Sequence, residues 1–144
     1  MCIRDRYFAA LEGLRLLKEQ TLQGRFATVR ATAQATRDAA KALGLQLLPP
    51  PGHESDTVTA MLYPQGIEDA KFRGALKDKH GVVVSGGQGP VKGKVFRIGT
   101  MGTVDFRDLA AGFAAVEAEL NAQGFKVEPG AGVAAIERAM ARAA

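Results

Sequence analysis

The chain has 144 residues, of which 47% are hydrophobic and 24% are charged, and its formal net charge is +4. This composition excludes a chain that is disordered throughout, and it suffices for one domain with its own core. The longest uncharged apolar stretch, residues 109–116, is far shorter than the roughly 20 residues of a membrane-spanning helix, and a single cysteine, Cys2, excludes a disulfide framework or a multi-cysteine metal site.

Two helices are predicted at the start of the chain. Apolar residues recur at helical spacing over 7–22 and, after an interruption at Gly24, over 24–43. Gly44 follows the second segment, and a glycine commonly ends a helix at this position. The run Pro-Pro-Pro-Gly at 49–52 then predicts a loop, because proline lacks an amide hydrogen and interrupts regular structure.

A small sheet is predicted in the middle of the chain. Residues 57–63 are β-rich and alternate apolar with polar side chains, which predicts a half-buried strand. Residues 66–80 predict a helix with acidic residues in its first turn and basic residues in its last, the order that the helix dipole favours. Val-Val-Val at 82–84 predicts a short buried strand, and 94–98 predict another after a glycine-rich loop at 85–93.

The last part of the chain predicts two further helices. Asp105 begins the first, with Asp108 spaced to complete a capping box and the pair Val104/Leu109 spaced to pack across the helix entry. After Pro129-Gly130, an alanine-rich segment predicts the final helix. The whole order predicts an α+β fold, a two-layer domain in which a small three-stranded sheet is covered by helices and is preceded by two helices.

Glycine-rich segments suggest three ligand-binding hypotheses, and each lacks part of its motif. Residues 89–94 approach a phosphate loop, but Val95 stands where a hydroxyl residue would bind Mg²⁺, and a strand follows. Residues 130–135 have the glycine spacing of a dinucleotide site without a clear preceding strand or a later acidic partner for the ribose. Gly99-Thr-Met-Gly102 has the form of a KH loop, but a predicted strand precedes it where a helix should.

No catalytic constellation is visible in the sequence. His53 and His80 are far apart and neither has a spaced partner, which favours surface or structural roles. Ser85 lies in no nucleophile-elbow motif, and Cys2 lies in a charged segment. The sequence therefore predicts no catalytic residue and no metal ligand in this chain.

The positive net charge raises the possibility of a nucleic-acid surface. The basic residues of 24–43 are better explained as a solvated helix face, so we expect no nucleic-acid partner. Residues 1–6 carry three charges, and no apolar segment of a secretory signal follows them. The sequence therefore predicts a cytoplasmic protein that does not bind a membrane.

Arg97 is the strongest candidate for a binding residue. Alternation along the predicted strand places Phe96 and Ile98 on one face and Arg97 on the other, between the glycine-rich loop and Gly99. A guanidinium held on a rigid strand can bind a carboxylate through two parallel hydrogen bonds. The alternative, a strand arginine that faces water or a structural acidic residue, stays open on spacing alone.

Several segments together resemble the class V pyridoxal-phosphate aminotransferases. They are 66–72, Gly-Val-Val-Val at 81–84, Ser-Gly-Gly-Gln-Gly-Pro at 85–90, Lys-Gly-Lys-Val-Phe-Arg-Ile-Gly at 92–99 and Met-Gly at 101–102. The chain is most similar to the alanine–glyoxylate/serine–pyruvate group of that family. The glycine loop followed by Phe-Arg-Ile-Gly is the most specific part of the resemblance.

The resemblance implies a domain organisation and one site residue. It implies that residues 24–144 form the small C-terminal domain of a fold-type I enzyme, that 7–23 form a helix entering from a large domain outside this chain, and that 1–6 are an extraneous leader. The family's arginine that binds the substrate α-carboxylate falls on Arg97. Many relatives carry histidine at the position of Thr100, so Thr100 receives no role.

The resemblance also implies a cofactor that this chain would not hold covalently. The family's Schiff-base lysine, and the aspartate that partners the pyridine nitrogen of pyridoxal 5′-phosphate, belong to the large domain. None of the eight lysines here matches the family's lysine loop: Lys18, Lys41, Lys71, Lys77, Lys79, Lys92, Lys94 and Lys126. We therefore expect a truncated fragment that is inactive alone.

The parent enzyme implied by the resemblance is a homodimer. It would transfer an amino group between a small amino acid, such as alanine or serine, and a 2-oxo acid, such as glyoxylate or pyruvate. In the fragment, apolar faces on 7–22 and 24–43 would then be exposed. The alternative, from another functional class, is a stand-alone α+β module that binds a small molecule or has a regulatory role.

Overall fold

The computed structural model describes residues 2–143, so Met1 of the predicted leader and Ala144 of the predicted small domain lie outside the described residues. The described elements follow the predicted order of two helices, a strand, a helix, two strands and two helices. They are α1 Ile3–Gln20, α2 Leu22–Ala42, β1 Val58–Leu62, α3 Asp69–His80, β2 Ser85–Gly86, β3 Val95–Gly99, α4 Phe106–Ala122 and α5 Ala131–Ala143. A short 3₁₀ helix, Gly89–Val91, lies between β2 and β3.

The strand β3 is the centre of an antiparallel sheet with the order β1-β3-β2. The register pairs Met61 of β1 and Gly86 of β2 with Phe96 of β3. Met61 and Phe96 are fully buried, because this face of the sheet packs against the helices. The predicted α+β fold, with a small sheet covered by helices, is confirmed.

Aromatic side chains join the sheet to α3. Tyr63, which follows β1, packs with Phe72 of α3 and Phe96 of β3, and the three ring-centroid distances are 5.7, 5.3 and 5.2 Å. Phe113 and Leu120 of α4 are fully buried in the same core. Aromatic pairs at these distances attract beyond the area that they bury, so the central strand rests on a well-packed layer.

The predicted buried strand at 82–84 is wrong. Only β2 pairs with β3 on this side, and Val83 is 77% exposed. The backbone of Gly81 is left-handed, with φ of +67°, and the Val82 amide donates to the carbonyl of Leu76. The segment is therefore tied to the end of α3, and it turns towards the sheet only at β2.

Helix α1 begins at Ile3 rather than at residue 7, so residues 3–6 of the predicted leader continue this helix. That these residues are extraneous stays a prediction. No residue of α1 is buried, and its large apolar side chains between 63% and 72% exposed are Ile3, Tyr7, Phe8, Leu11 and Leu14. The predicted exposed apolar face is therefore confirmed for α1, whereas α2 buries most of its second half. None of the described helices has the length and apolarity to cross a membrane.

The predicted capping box at the start of α4 is confirmed. The Asp105 carboxylate accepts hydrogen bonds from the backbone amides of Arg107 and Asp108 at 2.8 and 3.0 Å. The Asp108 carboxylate accepts in turn from the Asp105 amide at 3.1 Å. Leu109 is buried in the core, and Val104 packs against that core. Helix α4 therefore begins where the sequence predicts.

Candidate functional site

Arg97 lies at the centre of the sheet, on β3 and between β1 and β2. Its neighbours Phe96 and Ile98 pack towards the core on the helix side, as the alternation predicts. The side chain of Arg97 therefore leaves the opposite face of the sheet, where it is half-buried. Its Nε donates a hydrogen bond to the carbonyl oxygen of Gly86 at 2.9 Å.

Within residues 2–143, no acidic side chain forms an ion pair with Arg97. The only hydrogen bond of its side chain in that part of the chain uses Nε. The two terminal guanidinium nitrogens thus have no acceptor among the described residues. Two parallel hydrogen bonds from these nitrogens match the geometry of a carboxylate.

A second arginine, Arg73 of α3, lies against β2 beside this site. A Cβ atom placed on Gly86 would lie 3.0 Å from Nε, 3.1 Å from Cζ and 3.2 Å from one terminal nitrogen of Arg73. Arg73 donates to both carboxylate oxygens of Asp69, at 2.8 and 2.7 Å. The Tyr63 hydroxyl donates to the same carboxylate at 2.8 Å. The cluster Tyr63–Asp69–Arg73 therefore packs directly on the residue that holds Arg97.

The ionisation states in the cluster Tyr63–Asp69–Arg73 support one another. The hydrogen bond from Arg73, followed by that from Tyr63, outweighs burial and lowers the pKa of the Asp69 carboxyl. Burial, followed by the bond to Asp69, raises the pKa of Tyr63. The same carboxylate raises the pKa of Arg73. Asp69 and Arg73 are therefore a charged pair near neutral pH, and Tyr63 is a neutral donor.

Gly87 explains part of the glycine-rich loop. A Cβ atom at this position would lie 2.0 Å from the carbonyl oxygen of Val91 and 3.0 Å from a methyl carbon of Val95. No side chain fits at such distances, so glycine is needed for the loop to approach the strand. Val95, which shares a sheet face with Arg97, is fully buried as a result.

A cleft of about 210 Å³ borders β3. Its walls are the segment 82–85, the end of β3 at 97–99, and the first half of α4 with Asp108 and Phe113. Arg97 contributes to this lining from β3, whereas its guanidinium leaves the sheet on the face opposite α4. The cleft is smaller than the roughly 300–1,000 Å³ pockets that take drug-sized ligands.

Of the other residues considered in the sequence, Ser85 is paired with Arg97 in the register of β2 and β3, whereas the two histidines and Thr100 lie elsewhere. His53 is exposed in the loop before β1, and His80 lies 3.1 Å from the buried carboxylate of Glu119. Thr100 is buried, and its hydroxyl donates to the carbonyl of Asp56 at 2.9 Å, which gives it a structural bond. Between residues 2 and 143, no group of three or more His, Cys, Asp or Glu side chains could hold a metal ion.

The glycine pattern at 130–135 has a partner inside the chain. The buried carboxylate of Glu117, on α4, accepts hydrogen bonds from the amides of Gly130, Gly132 and Val133 at 2.6, 2.7 and 3.3 Å. A Cβ atom at Gly132 would lie 2.9 Å from the Glu117 oxygen. The helix start that a dinucleotide phosphate would need is therefore taken by an internal carboxylate.

The cluster Tyr63–Asp69–Arg73 was not predicted from the sequence. Asp69 and Arg73 are spaced four residues apart on the predicted helix, and this i,i+4 spacing is a usable signal for their ion pair. The contact between Arg73 and Gly86 has no such signal, since it joins a helix to a strand edge across a turn.

Several curated proteins are similar to this chain, whereas no family model matches it. It is 41% identical over 121 residues to an uncharacterized aminotransferase of Methanocaldococcus jannaschii. The aligned segment covers 84% of this chain and 31% of that protein. It is 38% identical over 125 residues to the serine–glyoxylate aminotransferase of Methylorubrum extorquens, with shares of 86% and 31%. The small subunit of a soluble hydrogenase from Synechococcus is 38% identical over 138 residues, with shares of 95% and 36%. The chain thus spans about a third of the length of these relatives.

Solved structures lead to the same family. The ureidoglycine–glyoxylate aminotransferase from Bacillus subtilis matches with a TM-score of 0.87 and 30% identity, over 90% of this chain and 34% of that one. The pyridoxamine–pyruvate aminotransferase from Mesorhizobium loti matches with a TM-score of 0.85 and 32% identity, over 91% and 34%. The chain belongs to the class V aminotransferases.

Proposed function

We propose that this chain is the small domain of a pyridoxal-phosphate-dependent enzyme that transfers an amino group between a small amino acid and a 2-oxo acid. Alanine or serine would be the donor, and glyoxylate or pyruvate the acceptor. Arg97 would bind the α-carboxylate that these molecules share. The names of the similar proteins support this substrate class, since they include serine and glyoxylate, ureidoglycine and glyoxylate, and pyridoxamine and pyruvate.

The observation that carries the proposal is the state of the Arg97 guanidinium. One nitrogen is fixed by the Gly86 carbonyl, and the other two have no acidic partner within residues 2–143. A partly desolvated cation of this kind is favourable only when an anion binds it. Because the strand backbone and the bond at Nε restrict the side chain, a bound carboxylate would be held in one orientation.

The residues of this chain do not fit covalent attachment of the cofactor. All eight lysines are exposed, and a Schiff-base lysine needs an enclosed setting that lowers its pKa. This supports the proposal that none of them forms the Schiff base and that the chain alone is inactive. Pyridoxal phosphate would supply the electron sink for the reaction.

We also propose that the parent enzyme is a homodimer, as the family resemblance implies, that it is cytoplasmic, and that it has no nucleic-acid partner. The basic residues of α2 support the last point, because three of them are engaged within the chain, among them Arg25, which donates to the carbonyl of Gly102. Arg37 donates to the carbonyl of Ser55 and pairs with Asp56, and Arg30 pairs with the same carboxylate. Fewer charges are then available for phosphate groups than the composition suggests.

We expect the chain to bind pyruvate weakly and specifically at Arg97. A single arginine–carboxylate pair that stays open to solvent contributes little energy, so the dissociation constant should be on the order of 10 mM. The measurement is a ¹H–¹⁵N NMR titration of arginine Nε–H signals with pyruvate. Arg97→Gln should remove the saturable shift, whereas Arg107→Gln, at an exposed arginine of α4, should leave it unchanged. Saturable binding of equal strength in Arg97→Gln would contradict the proposal.

Pyridoxal phosphate followed by borohydride should not label one lysine of this chain stoichiometrically. The exposed lysines should react weakly and without preference, because none of them lies in an enclosed setting that would activate it. The measurement is mass spectrometry of the reduced, digested protein, with free lysine amide as the reactivity standard. One lysine labelled to completion, together with an aldimine absorbance band before reduction, would show that the chain holds the cofactor itself.

A further inference from the structure

We propose that Asp69 and Arg73 are positioning residues for Arg97. The ion pair between them holds Gly86 in place, and the carbonyl of Gly86 in turn fixes the guanidinium of Arg97. This inference rests on the proposed function, in which Arg97 binds the substrate carboxylate. It adds two residues of α3 to a site that the sequence confines to β3.

Strand β2 is a weak support for the Arg97 side chain. Gly86 belongs to a strand of two residues at the edge of the sheet, and it is the residue whose carbonyl accepts the Nε–H of Arg97 at 2.9 Å. Glycine has the greatest backbone freedom of any residue. A carbonyl at such a position needs a neighbour that fixes it if the arginine is to have one orientation.

Gly86 lies against the guanidinium of Arg73. Three atoms of its guanidinium lie at nearly equal distances, 3.0, 3.1 and 3.2 Å, from the place where a Cβ of Gly86 would stand. The plane of the guanidinium therefore covers the α-carbon of Gly86 face-on. This contact is available only because Gly86 lacks a side chain, so the glycine and the arginine form a matched pair.

The side chain of Arg73 is itself held by hydrogen bonds. Both oxygens of Asp69 accept from it, and the Tyr63 hydroxyl donates to Asp69. The ring of Tyr63 packs between Phe72 and the buried Phe96. The orientation of Arg73 is thereby connected to the core. Because its Nε and one terminal nitrogen are used by Asp69, Arg73 acts on the site through Gly86.

The test compares Arg73→Gln with Arg15→Gln in the full 144-residue chain. Arg15 also pairs with carboxylates of its own helix, Glu12 and Glu19, on the exposed α1, so both variants lose one charge and the ion pairing of one arginine within a helix. In Arg73→Gln, we expect the Nε–H of Arg97 to exchange about tenfold faster with water and the pyruvate dissociation constant to rise about fivefold. Arg15→Gln should change neither.

A second variant, Gly86→Ala, approaches the same contact from the other side. Its Cβ would displace the Arg73 guanidinium, so it should produce the same two changes. The amide exchange of β3 and the melting temperature report general unfolding, and they should stay at wild-type values in Arg73→Gln. If the Arg97 Nε–H exchange is unchanged in both Arg73→Gln and Gly86→Ala, the positioning role is overturned.

The two proposals fail in different ways. If wild-type chain shows no pyruvate response at Arg97, the proposed function is overturned, and the Nε–H exchange rate still decides whether Arg73 positions Arg97. If wild-type chain binds pyruvate through Arg97 and Arg73→Gln binds it equally well with unchanged exchange, the positioning role alone is overturned.

Discussion

Replacing Arg97 with alanine, in an enzyme that carries this chain as its small domain, should lower kcat/KM for the 2-oxo acid about 100-fold. The reason is the loss of two charge-assisted hydrogen bonds to the substrate carboxylate. Most of the change should appear as a higher KM, because these bonds form in the bound substrate and persist through the reaction. The measurement is steady-state kinetics with pyruvate and glyoxylate as acceptors.

A substrate without a carboxylate is the internal control for Arg97. Ethylamine as donor should be used equally poorly by the wild type and by Arg97→Ala, because neither can bind it through the guanidinium. Arg97→Lys should fall between the two enzymes for pyruvate, since lysine keeps the charge and loses the two-pronged geometry. A KM for pyruvate that does not change in Arg97→Ala would remove Arg97 from the substrate site.

Local signals in the sequence predicted the parts of the fold that local physics determines. The spacing of Asp105 and Asp108 gave a capping box whose hydrogen bonds are all present. Alternation around Arg97 gave the correct face of the sheet, because neighbouring side chains of a strand must point to opposite sides. Both predictions depend on residues fewer than four positions apart.

The sequence was less informative where contacts outside a segment decide its structure. The valines of 82–84 have the composition of a strand, yet the left-handed turn at Gly81 ties them to the end of α3, and Ser85 and Gly86 pair with β3 instead. The glycine pattern at 130–135 suggested a phosphate site, but its amides bind Glu117, 13 to 16 positions earlier in the chain. Composition carries no information about which distant side chain reaches a backbone amide.

The position of Arg97 shows why the candidate site needed more than its own strand. Alternation assigns a face to the side chain, but the angle of the guanidinium depends on Gly86, and Gly86 depends on α3. Only the pair Asp69/Arg73 of that set has a spacing that the sequence displays. A search for i,i+4 pairs on helices that flank a candidate strand would have found it.

Replacing Glu117 with glutamine should lower the free energy of unfolding by about 3 kcal/mol. The carboxylate is buried and accepts three backbone amides at the start of α5, where the helix dipole also favours negative charge. Glutamine has one acceptor oxygen, so at least one of these backbone amides would lose its acceptor. That amide would instead face the side-chain nitrogen of glutamine, which is also a donor. The measurement is urea unfolding followed by circular dichroism.

Glu137→Gln is the matched control for Glu117, because it removes the same charge from an exposed position on α5. Its effect should stay within about 0.5 kcal/mol of zero. Gly132→Ala should also destabilise the protein, since its Cβ would lie 2.9 Å from the Glu117 oxygen and press on the same bonds. Equal stabilities for the two glutamine variants would mean that the α4–α5 junction is held by packing alone. A large loss confined to Glu117 and Gly132 would mean that the glycines at 130 and 132 are there to admit a carboxylate of the chain itself.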